Sequence, residues 1–243
     1  MLDATAAAEE RHFWFRGLRR HASLLLAAAL DGQRPSRILD CGAGTGRNLD
    51  WLNTFGWSVG LERSWTGLGH GRQTRRRLVR GTVARLPFSD ASVDVATSFD
   101  VLYCLDDETE KAAVAEMWRV LKPGGVLLVN VAALDSLRGS HSALTHEVRR
   151  YTKNRLRALL AGAGFTIERL SFANMSPFPV AWLLRWRDRA TGRAGTASDG
   201  DLQVPPGPVN AVFNALLAAE AQIMRVADLP IGTSIICVAR KNP

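Results

Sequence analysis

A chain of 243 residues, 47% hydrophobic and 22% charged, has the composition of a globular protein with a sizeable core, which excludes disordered and fibrous classes. Its 31 Lys and Arg outnumber its 23 Asp and Glu, for a formal net charge of +8. The arginines gather at Arg75, Arg76 and Arg77, at Arg149 and Arg150, and between Arg185 and Arg193; these dispersed clusters read as surface charge, so a nucleic-acid partner is not expected, while a membrane surface stays open without being required.

In chain order, residues 6–30 carry apolar positions at helical spacing and read as one helix, ended by Asp31-Gly32 and Pro35. Strands and helices then alternate. Strands are predicted at 37–41, 57–61, 78–82, 93–98, 125–131 and 165–172, and helices at 47–55, 65–74, 108–121 and 153–161. Alternation of this kind implies βαβ units and a mainly parallel sheet covered on both faces. After residue 174 the pattern changes. Residues 177–189 read as an amphipathic helix bearing Trp182 and Trp186, 190–208 as a mobile loop rich in Gly, Ala, Ser and Pro, 209–226 as a helix and 234–239 as a final strand. The economical layout is one domain over 1–243: an N-terminal helical lid (1–34), a ligand-binding core (35–172), a helical insertion (173–231) and the last strand (232–243). Cys41, Cys104 and Cys237 are scattered and read as free thiols, Met1-Leu2-Asp3 carries no basic leader, and no apolar run reaches the roughly 20 residues that span a bilayer; a cytoplasmic location is expected.

The informative stretch is Leu39-Asp40-Cys41-Gly42-Ala43-Gly44-Thr45-Gly46, in which a strand runs into a glycine loop that opens a helix. Glycines there admit unusual backbone angles and let the main chain approach a ligand. Glu62 ends the next strand, about 20 residues on, where a carboxylate can take both hydroxyls of an adenosine ribose. The loop reads G-x-G-x-G, with Arg47 where a dinucleotide loop has its third glycine. Asp40 would repel a pyrophosphate but suits a cationic amino group such as that of S-adenosylmethionine.

The chain resembles the class I methyltransferase family, in particular its type 11 small-molecule branch, through the stretch above, Gly60-Leu61-Glu62-Arg63-Ser64, Leu86-Pro87-Phe88-Ser89-Asp90-Ala91-Ser92-Val93-Asp94, Arg119-Val120-Leu121-Lys122-Pro123-Gly124-Gly125 and Ala163-Gly164-Phe165. The resemblance implies an α/β, Rossmann-like doubly wound seven-stranded sheet, mostly parallel with an antiparallel last strand, and S-adenosylmethionine as cofactor. It implies that Asp40, Gly42, Ala43, Gly44 and Gly46 hold the methionine end, that Glu62 with Arg63 holds the ribose, and that Thr82, Val83, Ala84 and Phe99 lie along the adenine side. Two departures stand out: Tyr103-Cys104 replaces an acidic residue followed by His, and Gly81-Thr82 replaces a common Gly-Asp.

The acceptor side is less legible. His141 and His146 follow the fifth strand, where loops line the crevice of such sheets, and either could act as a base. Trp14, Tyr103, Arg149, Arg150 and Tyr151 are candidates for acceptor contacts, the arginines for an anionic group. Cys104 reads as an inert thiol and Lys122–Gly125 as a structural turn. Expected is methyl transfer to a small, apolar, aromatic or lipid-like molecule, with no metal; the alternatives are an RNA methyltransferase and a non-catalytic cofactor-binding partner subunit.

Overall fold

The computed structural model describes residues 2–138, 147–190 and 203–242. Seven strands form one sheet: β1 (Arg37–Cys41), β2 (Trp57–Glu62), β3 (Leu78–Arg80), β4 (Val93–Phe99), β5 (Leu121–Ala132), β6 (Phe165–Ala173) and β7 (Ser234–Lys241). Their order is β3-β2-β1-β4-β5-β7-β6, parallel throughout except for β7, which runs antiparallel to both β5 and β6. The expected doubly wound sheet with an antiparallel last strand is the sheet found.

β1, β2, β4, β5 and β7 were legible because they are buried along most of their length, so their positions run largely apolar. Successive side chains enter opposite layers. Leu39, Leu127 and Cys237 pack in one core with Met117 and Leu160; Ile38, Leu128 and Ile236 pack in the other with Leu25 and Met224. The first core lies beneath α5 (Asp107–Val120) and α6 (Lys153–Gly162), the second beneath α2 (Phe13–Leu30). Caps fix the helix starts: the Asp106 carboxylate accepts from Thr109 N at 2.8 Å, and three acids in the first turn of α5 meet its positive dipole end. Thr152 caps α6 in the same way, accepting from Arg155 N.

Three expectations are corrected. The N-terminal helix is two, α1 (Leu2–Ala8) and α2, because the His12 ring caps α2, with Nδ1 accepting from Trp14 N at 3.1 Å. The helix after the glycine loop is a single turn, α3 (Leu49–Leu52). The Lys122–Gly125 turn lies inside β5, where the register with β4 jumps between Val93 and Val95. Beyond α4 (Trp65–Gln73), α7 (Phe178–Ala190) and α8 (Gly207–Ile223) stand between β6 and β7. Most of the loop expected at 190–208 lies outside the described residues. Among the described residues, no helix is long and apolar enough to cross a membrane.

Candidate active site

Strand order reverses between β1, which leads away to β2, and β4, which leads away to β5. A crevice opens at such a point, beyond the carboxyl ends of the strands. Asp40 stands near the end of β1, directly across from Thr97 of β4. Its carboxylate is buried; Oδ1 accepts from Thr97 Oγ1 at 2.7 Å, while Oδ2 has no hydrogen-bond partner among the described residues. Burial pushes this carboxyl up to about 6, against the lowering pull of Thr97 and Asn48. An orphaned buried carboxylate oxygen is costly unless a donor arrives, and a cationic amine supplies one.

The glycine loop curls past it. Gly42 has φ +84°, and a Cβ there would stand 2.4 Å from Val101 Cγ2, so no other residue fits the turn. Gly44 has φ +55°, a conformation that favours glycine, and a Cβ there would meet only Leu2 Cδ2, at 3.5 Å. Glu62 holds the loop in place: Oε2 accepts from Gly44 N at 2.9 Å and Oε1 from Ser64 N at 2.7 Å. Each oxygen retains a lone pair for a further donor. Ala43 and Gly46 complete the same loop, so Asp40, the glycines and Glu62 lie together, and the two carboxylates are acceptors that suit the ammonium and hydroxyl donors of S-adenosylmethionine. Arg63 is exposed beside them. Thr82 and Ala84 form a tight turn after β3, above the buried Val83. Phe99 lies in the core beneath α2, beside Trp51.

A second carboxylate, passed over by the sequence reading, follows β4. Asp100 has φ +59°, rare for a residue with a side chain, and its N–H donates to Asn130 O at 3.0 Å. Asn130 Nδ2 donates to Asp100 Oδ1 at 2.9 Å, and Asn130 Oδ1 is another buried oxygen without a partner. Burial raises the Asp100 carboxyl to about 7 despite Asn130 and the nearby Arg150. A carboxyl half-ionised near neutrality at the ligand crevice has the chemistry of an acid or base. The sequence showed only that Asp100 follows a strand; that Asp40 and Asp100 stand at the ends of the two strands flanking the reversal is known from the strand order.

The N-terminal segment covers the loop. The Thr45 hydroxyl lies 2.8 Å from both Glu9 carboxylate oxygens, Glu10 pairs with Arg47 at 3.3 Å, and Asp3 pairs with His70 at 2.8 Å. Trp14 is half-buried in the first turn of α2.

The acceptor-side candidates are placed differently from the expectation. Tyr151 is wholly buried with its hydroxyl on Glu110, and presents no surface to a ligand. Arg149 Nη1 lies 2.7 Å from Asp107 and 3.0 Å from Glu110, and Arg150 pairs with Glu147 at 2.8 Å. Both arginines therefore tie the segment after β5 to neighbouring carboxylates, which accounts for them without an anionic ligand. Tyr103 is buried, and its carbonyl accepts from Val148 N and Arg149 N. Burial raises the Cys104 thiol to about 12, so it is held as an unreactive thiol. His141 and His146 lie outside the described residues.

Known proteins were compared with this chain. The methyltransferase domain family matches residues 39–129. A Mycolicibacterium smegmatis protein named "Probable S-adenosylmethionine-dependent methyltransferase" is 33% identical over 166 residues, covering 65% of this chain and 62% of that protein. A demethylmenaquinone methyltransferase of Mycobacterium sp. (strain KMS) is 39% identical over 104 residues, covering 42% and 44%. The chain thus spans less than two thirds of the length of these curated relatives. An S-adenosylmethionine-dependent methyltransferase structure from Thermotoga maritima superposes with a TM-score of 0.60 at 18% identity, covering 95% of this chain and 93% of that one, a likeness of fold. The matched segment begins within β1 and ends within β5, so Asp40, Glu62 and Asp100 all fall inside it, and residues 39–129 match a methyltransferase domain of the class I S-adenosylmethionine-dependent kind.

Proposed function

We propose that the chain binds S-adenosylmethionine at the β1–β4 crevice and transfers its methyl group to a small, apolar acceptor. The observation that carries the reading is Asp40 Oδ2, a buried carboxylate oxygen without a hydrogen-bond partner among the described residues, at the strand end that runs into the glycine loop. The bound cofactor supplies the electrophilic methyl group on its sulfonium. The protein supplies the rest. Asp40 takes the ammonium of the amino-acid end, Glu62 takes the ribose hydroxyls, and the sheet ends fix the line of approach, which is the main catalytic requirement of an in-line displacement.

Asp100 serves as the base for an acceptor whose hydroxyl or amine must lose a proton, with Asn130 orienting it. The names of the relatives support an apolar small molecule, since one of them acts on demethylmenaquinone. The expected anionic handle on the acceptor loses its support, because Arg149 and Arg150 already have carboxylate partners.

Calorimetry tests the reading. Charge-assisted hydrogen bonds contribute roughly 1.5–3 kcal/mol, so Glu62→Ala is expected to weaken S-adenosylmethionine binding about tenfold or more in a folded protein. Unchanged affinity in the variant removes Glu62 from the site, and a wild type that prefers NAD overturns the whole reading.

A further inference from the structure

The insertion between β6 and β7 leaves apolar surface facing outward. On α8, Val209, Val212, Leu216 and Ile223 are all exposed, Val212 to 58%, and their spacing places them in one stripe. The helix has a single charged side chain, Glu220, and it is buried, so the outward stripe carries no charge. Helices that face water carry charged or polar residues on that side. On α7, Trp182 and Trp186 stand one turn apart with 46% and 57% of their surface exposed, beside exposed Leu183 and Leu184.

The stripe of α8 has a basic border. Helix α2 crosses α8 closely, since a Cβ at Gly17 would stand 2.4 Å from Leu217 Cδ1. Along that crossing, Arg20 Nη1 donates to Asn214 O and Asn210 Nδ2 donates to Arg11 O. Arg11 and Arg20 therefore border α8, Arg16 stands one turn before Arg20 on α2, and among the described residues none of the three has an ion-pair partner.

We propose that the α8 stripe with its arginine border docks on the surface of an anionic phospholipid bilayer, and that the exposed tryptophans of α7, in the same insertion, enter that surface with it. Apolar side chains enter the headgroup boundary, tryptophans favour that depth, and arginines meet the lipid phosphates. A second copy of the chain is the poorer occupant. A two-fold contact sets a patch against itself, and here it would bring the arginine border of one copy close to that of the other. The docked face is also joined to the cover over the glycine loop: Asn210 Oδ1 accepts from Phe13 N at 2.9 Å, and Phe13 stacks on Phe213 at 4.8 Å. Docking itself does not depend on the methyl-transfer reading. If both hold, the acceptor is drawn from the membrane.

The test is co-sedimentation of the full chain with vesicles of phosphatidylcholine alone and of phosphatidylcholine mixed with phosphatidylglycerol. Binding to the mixed vesicles, weakened by salt, is expected. Each arginine near an anionic surface contributes about a fivefold gain in affinity, so Arg16→Glu with Arg20→Glu is expected to lower binding by at least an order of magnitude. Val212→Glu with Leu216→Glu is expected to abolish it, with melting and cofactor binding unchanged because both positions are exposed. Quenching of the wild-type tryptophans by brominated lipid reads the same contact without any variant. No sedimentation with mixed vesicles, no quenching, or binding that survives both double substitutions overturns the proposal. So does a dimer in solution that Val212→Glu converts to a monomer, since the face is then an interface between copies.

Discussion

At the scale of single residues, the two strand-end carboxylates set the pH behaviour. Asp40 is raised to about 6 and must ionise to meet an ammonium, so S-adenosylmethionine affinity is expected to climb as pH rises through 6. Asp100 is raised to about 7, and its basic form accumulates only above that pH. With an acceptor that must lose a proton, turnover is expected to rise through pH 7 and to fall about 10²–10⁴-fold in Asp100→Asn while cofactor affinity holds. Measuring His146→Ala and His141→Ala alongside decides between bases: a loss confined to a histidine variant transfers the role to the segment after β5. Asp40 and Glu62 could be picked out from the sequence because one runs straight into the glycine loop and the other ends the next strand, at a spacing the loop itself predicts. Asp100 could not be weighed in that way, since its meaning comes from Asn130 and from the reversal of strand order, neither of which is local.

At the scale of elements, the strands were readable and the helix limits less so. Residues 37–41 and 57–62 are buried along almost their whole length, and that burial writes itself as an apolar run. The break between α1 and α2 is set by His12 as a cap and by Glu9 meeting Thr45, a partner distant in sequence, so helical spacing alone runs through it. The crossing of α2 and α8 gives an element-scale prediction. Gly17→Val inserts three carbons against Leu217, which is wholly buried and has nowhere to swing. Overpacking of this kind typically costs about 1–3 kcal/mol. A lower urea midpoint with an unchanged denaturant slope is expected; a midpoint equal to the wild type's shows that the helices part freely there.

For the molecule as a whole, the buried carboxyls shape stability against pH. Glu9, Asp40 and Asp100 all hold their protons to higher pH in the folded chain than they do unfolded. Between about pH 4 and 7 the folded state therefore binds more protons than the unfolded one, and stability falls as pH rises through that window. His21, whose pKa burial lowers, acts in the opposite sense below its ordinary value near 6.5, so the variants give the cleaner measurement. Urea midpoints at pH 5 and 7.5 are expected to differ less in Asp100→Asn than in the wild type, and an equal difference in both removes Asp100 from the account. The sheet order carries one more consequence, for synthesis. β6 is the sheet's outer strand on that side and hydrogen-bonds only to β7, which also covers the free edge of β5. While the chain is being made, β5 and β6 emerge from the ribosome long before residues 234–241. Until that last strand threads between them, both expose apolar, unpaired edges. The last two of the seven strands thus join the sheet in a single late insertion, and a nascent chain stalled anywhere before β7 is a substrate for chaperones or proteases rather than a partly working enzyme.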